Sequence, residues 1–329
     1  MNKRVFCAAL CALTMALPVC AATPTALVIH GGAGTINRDA LTAEREQAIR
    51  AALDRALDAG HAVLAAGGPA LDAVAAVVVV LEDSPYFNAG KGAVFNAEGV
   101  NELDSAIMDG STQRAGAVAG VHRVRNPVLL ARAVMEQSPH VMLVGDGAEA
   151  FASAIGMALV EPAWFRTEER WQQLQDAKAR ASAQVALPRS YYFGTVGAVA
   201  LDSNGHIAAA TSTGGMTNKR WGRVGDAPII GAGTWADAGC GVSATGWGEF
   251  FIRLHVAADI CARMAYRGDT LTAAAESVVL QRLPAMGGDG GVIAIDGQGN
   301  IAMPFNTAGM YRAWIKPDGS RGTAVYANP

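Results

Sequence analysis

The apolar positions of this chain fall into runs of two kinds. Ala26–Ile29 is a short unbroken run that ends in His30-Gly31-Gly32-Ala33-Gly34, which predicts a buried strand. From Leu41 to Ala66 apolar residues recur at helical spacing, with Glu44, Arg45, Glu46, Arg50 and Arg55 on the polar side. Gly67-Gly68-Pro69 ends that helix. Pro69 suits the first turn of the next helix, and Ala70–Leu81 is apolar nearly all round, so it should lie sandwiched between layers. Strand-like pieces follow at Ala106–Met108 and Ala115–His122, and Asn126-Pro127 opens a helix to about Gln137.

Residues 161–192 lack this patterning and read as an exposed linker running up to about residue 194. Strand character returns abruptly at Thr195–Leu201 and Ile207–Thr211, joined by Asp202-Ser203-Asn204-Gly205, a strong hairpin signal. A second hairpin is predicted from Val292–Ile295 and Ile301–Pro304, and helices from Glu249–Tyr266 and Leu271–Gln281. Helices interleaved with antiparallel hairpins predict a layered α+β fold rather than a doubly wound parallel sheet.

The N-terminus is of another kind. Lys3 and Arg4 precede an apolar run, Val5–Val19, broken by Pro18 and followed by Cys20-Ala21-Ala22. This is the layout of a secretory signal peptide over residues 1–21, cut after Ala21 or Ala22, and the run is short of the ~20 residues a membrane span needs. The expected destination is secretion, most simply the periplasm, with no membrane segment after the leader is removed.

Composition sharpens the picture at three points. Only 6% of the 329 residues are aromatic while 38 are Gly, so the core must be built from small aliphatic side chains in closely apposed layers. A formal net charge of −3, which loses Lys3 and Arg4 with the leader, argues against nucleic acid as partner. The mature chain keeps only Cys240 and Cys261. In an oxidising compartment they can pair, but 20 intervening residues with no cysteine framework favour two buried thiols.

Several local motifs lead nowhere. His30-Gly31-Gly32-Ala33-Gly34 looks like an esterase oxyanion loop, yet no Gly-x-Ser-x-Gly accompanies it. Gly32-Ala33-Gly34 lacks the third glycine of a dinucleotide fingerprint. No CxxC or HExxH occurs, so a zinc site is not expected. His30 reads as a core or supporting histidine rather than a catalyst.

The informative stretch is Gly194-Thr195-Val196-Gly197, where a threonine opens a strand at the end of the linker. Cutting the Gly194–Thr195 bond gives Thr195 a free α-amine beside its own hydroxyl. That amine ordinarily titrates near ~7.7–8.0, so one residue then supplies nucleophile and general base. Gly194 leaves room for the strained turn such a cut requires. Downstream, Thr211-Ser212-Thr213-Gly214-Gly215, Gly222-Arg223-Val224-Gly225-Asp226 and Thr245-Gly246-Trp247-Gly248-Glu249 bring hydroxyls and glycines beside one Arg and one Asp. Arg223 can take an α-carboxylate through its planar fork, and Asp226 an α-ammonium. Taken alone, Arg-x-x-Asp is more often a surface ion pair.

Together with Ile29–Gly34, Phe87-Asn88-Ala89-Gly90-Lys91-Gly92, Glu102-Leu103-Asp104 and Met108-Asp109-Gly110, these segments resemble the plant-type L-asparaginase/isoaspartyl peptidases, a family of N-terminal nucleophile hydrolases. The resemblance covers essentially the whole mature chain. It implies a four-layer αββα sandwich and a precursor that cuts itself between Gly194 and Thr195. The resulting α chain (22–194) and β chain (195–329) stay intertwined, commonly as a dimer of αβ units.

By matching position, the resemblance implies Thr195 as nucleophile, oriented by Thr213, with Asn88 nearby. Thr245, through its hydroxyl, and Gly246, through its N–H, correspond to the oxyanion hole; Arg223, Asp226 and Gly248 correspond to the substrate clamp. The Leu81–Lys91 loop looks like a sodium loop, with backbone carbonyls of Leu81, Glu82, Ser84, Phe87, Ala89 and Lys91 as ligands, and oxygen-only ligation suits a hard cation. Trp247 stands where relatives often carry a smaller or polar residue, so it is expected to narrow the pocket on the leaving-group side.

The implied activity is release of aspartate from L-asparagine and from β-aspartyl dipeptides, with no catalytic cofactor. One alternative is glycosylasparaginase activity, although Gly-Thr-Val-Gly fits the isoaspartyl branch better. Another is an uncleaved periplasmic amino-acid-binding protein that uses only Arg223 and Asp226.

Overall fold

The computed structural model describes residues 24–34, 36, 41–183 and 194–327. The predicted leader and the stretch 184–193 of the predicted linker lie outside the described residues. The elements run β1 (Ala26–Gly34), α1 (Ala43–Ala65), α2 (Ala70–Glu82), β2 (Leu103–Asp109), β3 (Arg114–Val121), α3 (Pro127–Gln137), β4 (Met142–Val144), α4 (Gly145–Ala154) and α5 (Glu168–Ser182). They continue with β5 (Val196–Leu201), β6 (Ile207–Thr213), β7 (Thr234–Ala236), β8 (Cys240–Gly246), α6 (Gly248–Leu254), α7 (Val256–Arg267), α8 (Leu271–Glu276), β9 (Gly290–Asp296), β10 (Ile301–Ala302), β11 (Gly309–Ile315) and β12 (Arg321–Tyr326). The fold is α+β, as the interleaving of helices and hairpins predicts.

Eight strands form one mixed sheet in the order β12-β11-β1-β5-β6-β2-β3-β4, in which only the β3–β4 pair is parallel; four form a second sheet, β10-β9-β8-β7. Side-chain alternation explains why the central strands read as unbroken apolar runs. On β1 and β5, Leu27, Ile29, Ala198 and Ala200 meet Leu53, Leu57, Val74 and Val77 of α1 and α2. The opposite faces, Val28, Val199 and Leu201, pack against Ile293 and Ile295 of the second sheet. The alternate residues of that sheet, Val242, Val292 and Ala294, pack on Val256, Ile260 and Leu271. Small residues set the spacing: a Cβ on Gly241 would lie 2.5 Å from Ile207 and 2.7 Å from Val199.

Local chemistry fixes the helix ends. The Thr42 hydroxyl accepts the Arg45 N–H at 3.2 Å and starts α1. Pro69 offers no cap to α2, so the buried Asp202 carboxylate supplies it, accepting Ala70 N–H at 3.0 Å. The other Asp202 oxygen accepts Asn204 and His206 N–H groups and shapes the β5–β6 turn. One aspartate thereby ties the predicted hairpin to the predicted helix.

Three expectations are corrected. Part of the expected linker, Glu168–Ser182, is helix α5, capped by Thr167, with Leu174 and Ala177 buried and Trp171 edge-on against Phe95; its weak apolar pattern reflects a helix that buries only a narrow stripe. The single helix Glu249–Tyr266 is two helices broken at His255 (φ 49°, ψ 49°). There the first N–H groups of α7 turn to the carbonyls of Ala232 and Gly231. Cys240 and Cys261, expected as free thiols, form a disulfide with Cα atoms 5.6 Å apart. The sequence interval conceals that α7 doubles back over β8.

This bridge closes a loop of 21 residues' separation, for which chain entropy gives about 3 kcal/mol. The Cys240→Ala/Cys261→Ala protein is therefore expected to unfold in denaturant with about 2–4 kcal/mol less stability, an outcome checked by its midpoint in guanidinium.

Candidate active site

The start of β5 and the end of β6 lie side by side, with Val196 opposite Ser212, so Thr195 comes to lie beside Thr213. Thr195 is a buried residue, 7% exposed, and its hydroxyl donates to Thr213 Oγ1 at 3.2 Å. Thr213 Oγ1 in turn accepts the Gly215 N–H at 3.0 Å and donates to the Gly194 carbonyl at 3.1 Å. That carbonyl also accepts from Asn88 Nδ2 at 2.7 Å. Asn88 is fixed on its remaining sides by Gly215 O and by the Val94 N–H. Gly194 has φ +132°, and a Cβ there would lie 2.8 Å from Asn88 Cβ, so only glycine fits. The peptide carbonyl preceding Thr195 thus carries two donors while the Thr195 hydroxyl shares one of them.

His30 lies beneath this arrangement, fully buried, with Nδ1 3.0 Å from Thr195 O and Nε2 3.0 Å from Ser243 Oγ. Burial pushes its pKa down to about 3, against the Thr195 bond, so the ring is neutral. It supports the Thr195 main chain rather than its hydroxyl, in the role the sequence assigned it.

Two residues beyond Ser243, the Thr245 hydroxyl accepts the Ala33 N–H at 3.1 Å, which leaves its own proton free to donate. Gly246 pairs with Gly290 in the ladder, and a Cβ on it would lie 2.4 Å from the Phe251 ring. Gly248 follows at the start of α6. A Cβ there would lie 2.8 Å from Arg223 Nη2 and 3.0 Å from Asp226 Oδ1, so this glycine brings the helix start against both residues.

Arg223 is not free. Its Nε and Nη2 donate to Glu249 at 2.9 and 2.8 Å, a bidentate pair on one edge of the guanidinium. The Trp247 indole also hydrogen-bonds Glu249, and its ring packs edge-on against Phe250 at 5.1 Å. Burial works to raise the Glu249 carboxyl, but the Arg223 bond and charge outweigh it and hold it below the usual range. Asp226 behaves oppositely. Burial pushes it up to about 7; Arg223 opposes this, while Glu249 and Asp104 add to it. Its Oδ2 is buried without a hydrogen-bond partner among the described residues.

The structure thus brings Thr195, Thr213, Gly194 and Asn88 together as one cluster, and Arg223, Asp226, Gly248 and Trp247 as another. Sequence reasoning missed Glu249, which reads as an ordinary acidic residue in a first helical turn. It also missed Lys219, whose buried ammonium donates to Glu102 O at 2.9 Å and packs on the Gly215 turn. Neither residue has a local signal, because its partner comes from another element.

In the loop after α2, the Gly90 and Gly92 Cα positions face carbonyl oxygens: added Cβ atoms would lie 2.3 Å from Glu82 O and 2.1 Å from Phe87 O. The Glu82 side chain turns elsewhere, accepting Ser212 Oγ at 2.7 Å and Val128 N–H at 3.0 Å. Burial pushes that carboxyl up to about 8 despite both donors. The Lys91 ammonium lies over the Trp164 ring at 4.3 Å, outside the loop. Among the described residues no cluster of His, Cys, Asp and Glu suits a transition metal.

A family model described as Asparaginase matches residues 23–325. The chain belongs to this asparaginase family. Among its relatives, the isoaspartyl peptidase of Escherichia coli (strain K12) is 52% identical over 306 residues, covering 91% of this chain and 95% of that protein. The plant-type L-asparaginase of Pyrobaculum calidifontis is 43% identical, covering 89% and 97%. The probable isoaspartyl peptidase/L-asparaginase 2 of Arabidopsis thaliana is 40% identical, covering 92% and 98%. The family match spans both the Thr195 cluster and the Arg223–Asp226 cluster.

Proposed function

We propose that this asparaginase-family chain is a self-cleaving threonine-nucleophile hydrolase that releases aspartate from L-asparagine and from β-aspartyl dipeptides. One observation carries the reading: the Gly194 carbonyl accepts from both Asn88 Nδ2 and Thr213 Oγ1 beside the Thr195 hydroxyl. These donors are placed to stabilise the oxyanion that forms when Thr195 Oγ attacks Gly194 C. The amide nitrogen takes the hydroxyl proton, the C–N bond breaks, and water hydrolyses the resulting ester. Gly194 is left with a carboxylate and Thr195 with a free amine.

In the processed enzyme the Thr195 amine takes the Oγ proton as Oγ attacks the side-chain carbonyl of the substrate. It then returns that proton to the leaving nitrogen, and water discharges the β-aspartyl ester. Thr245 Oγ1 and Gly246 N–H receive the oxyanion, each worth ~3–4 kcal/mol. Arg223 holds the α-carboxylate; Asp226 and the Gly248 backbone hold the α-ammonium. Zwitterion recognition of this kind favours an amino-acid substrate, and a glycan-linked asparagine carries the same groups. Comparing rates on L-asparagine, a β-aspartyl dipeptide and a glycan-linked asparagine tests the assignment. Turnover of the third alone would replace the isoaspartyl reading with the glycosylasparaginase one.

The layering of helices, large sheet, small sheet and helices supports a four-layer αββα sandwich. The Gly90–Gly92 cradle and its neutral oxygen donors fit a sodium ion held by carbonyls of Leu81, Glu82, Ser84, Phe87, Ala89 and Lys91. That ion would supply only positive charge to a loop that carries Asn88. A dimer of αβ units and a secreted, periplasmic location complete the reading, and the Cys240–Cys261 bridge suits an oxidising compartment.

A pH profile gives a quantitative check. Asp226, at about 7 in the free enzyme, must be ionised to receive the ammonium, and the Thr195 amine must be unprotonated to act as base. Below about pH 7, kcat/KM is therefore expected to fall with a limiting slope approaching 2. In kcat the slope should be about 1, because bound substrate keeps Asp226 charged. A slope of about 1 in both profiles would remove Asp226 from the ammonium site.

A further inference from the structure

Four buried polar side chains between the two sheets have no part in the chemistry proposed above. His30 comes from β1, Thr211 from β6, Thr234 from β7 and Ser243 from β8, and each is 0% exposed. They touch in a line. Thr234 Oγ1 is 2.7 Å from Thr211 Oγ1, Thr211 Oγ1 is 2.7 Å from Ser243 Oγ, and Ser243 Oγ is 3.0 Å from His30 Nε2. His30 Nδ1 completes it at 3.0 Å from the Thr195 carbonyl. The surrounding layer is otherwise aliphatic, with Val28, Val199 and Ile207.

The proton positions along the line follow from one end. A carbonyl oxygen only accepts, so His30 Nδ1 carries the proton and donates to Thr195 O. The ring is neutral, so Nε2 must accept, and only the Ser243 hydroxyl is placed to donate to it. Ser243 has then spent its proton, and the contact with Thr211 must be donated by Thr211. By the same step Thr234 donates to Thr211 at 2.7 Å, in preference to the Ala227 carbonyl at 3.0 Å, because two hydroxyl oxygens that close need a proton between them. The Gly233 carbonyl, an alternative acceptor for Thr211, is already served by Ala244 N–H at 2.9 Å. All four donors therefore point towards Thr195, and bonds in such a chain reinforce one another. Glycine makes the room: a Cβ on Gly197 would lie 2.0 Å from Ser243 Oγ and 2.6 Å from His30 Nε2.

The need for this arrangement arises on cutting. While the Gly194–Thr195 bond is intact, the chain holds Thr195 from both sides. Afterwards Thr195 is a terminal residue one position ahead of β5, and terminal residues fray unless tied down. Its carbonyl is the one main-chain group that can fix the residue without occupying the amine or the hydroxyl.

We propose that His30 is a positioning residue whose Nδ1–H tautomer, set by the Ser243–Thr211–Thr234 hydroxyl chain, holds the Thr195 carbonyl and so keeps the nucleophile in place after self-cleavage. This rests on the self-cleaving reading above. The tautomer matters because the alternative Nε2–H form presents a lone pair to the Thr195 carbonyl and repels it.

The test uses the full-length, processed protein. Ser243→Ala removes the donor to Nε2. It is expected to lower kcat about tenfold, leave KM within about twofold, and replace the single Nδ1–H tautomer by a mixture in ¹⁵N imidazole spectra. Thr211→Val, nearly isosteric, should give a smaller loss in the same direction, and Thr211→Ser none. In His30→Asn the side-chain N–H reaches Thr195 O without a tautomer to set, so adding Ser243→Ala should cost nothing further. A wild-type kcat or an unchanged tautomer in Ser243→Ala would overturn the proposal. So would an equal loss from Ser243→Ala in the unaltered protein and in the His30→Asn variant, which would mean that Ser243 acts through packing alone. N-terminal sequencing separates the two levels: if unaltered protein yields no chain beginning at Thr195, the self-cleaving reading itself fails.

Discussion

Thr195→Ala protein is expected to stay a single chain on a denaturing gel and to lose at least about 10⁴-fold in kcat/KM on every substrate. The unaltered protein should give two chains, the smaller beginning at Thr195. The physical reason is that one residue serves twice. In the proposed mechanism its hydroxyl attacks the Gly194 carbonyl, already hydrogen-bonded to Asn88 and Thr213, and later the substrate carbonyl. Alanine supplies neither attack, whereas residual binding by the clamp survives. Thr195→Ser keeps the hydroxyl and should still process. A second chain starting at any other residue would move the nucleophile elsewhere, and a processed Thr195→Ala would show that the cut is made in trans.

Arg223→Ala is expected to lower kcat/KM about 10²- to 10³-fold while leaving self-cleavage intact, since the precursor holds no zwitterion in the clamp. The size follows from leaving the substrate α-carboxylate, desolvated in the proposed complex, without its bidentate partner, which costs about 2–5 kcal/mol. Two charges are left behind. Glu249 loses the fork that it accepts on two oxygens, and Asp226 loses the charge that opposes its upward shift. The acid limb of kcat/KM should therefore move to higher pH in Arg223→Ala. Arg223→Lys keeps the charge but not the planar fork, so it should lose less in rate and shift the limb little. Unchanged kinetics in Arg223→Ala would reduce the arginine to a partner of Glu249 alone.

Much of this molecule is legible before folding. The unbroken apolar runs of β1, β5 and β9 announce strands buried on both faces, and the Asp202–Gly205 turn announces a hairpin. The same local reading places Thr195 at the switch from linker to strand. Each of these depends on neighbours within a few residues, where backbone preference and side-chain alternation decide the outcome.

What failed in the sequence reading failed for a common reason. The α6–α7 break lies at His255 because the carbonyls of Gly231 and Ala232 take the first N–H groups of α7. The disulfide forms because α7 returns over the start of β8. Residues 168–182 of the expected linker form a helix because Trp171 packs on Phe95 and Leu174 is buried.

By itself, then, the sequence determined the strands and helices with strong periodicity and the family, and it singled out Thr195 as the candidate nucleophile. Tertiary structure alone decided that Glu249 occupies one edge of Arg223, that burial pushes the Asp226 carboxyl up, and that His30 faces the Thr195 carbonyl with a line of hydroxyls behind it. Those properties arise from desolvation and from contacts between residues as far as 213 positions apart, and no local pattern encodes either.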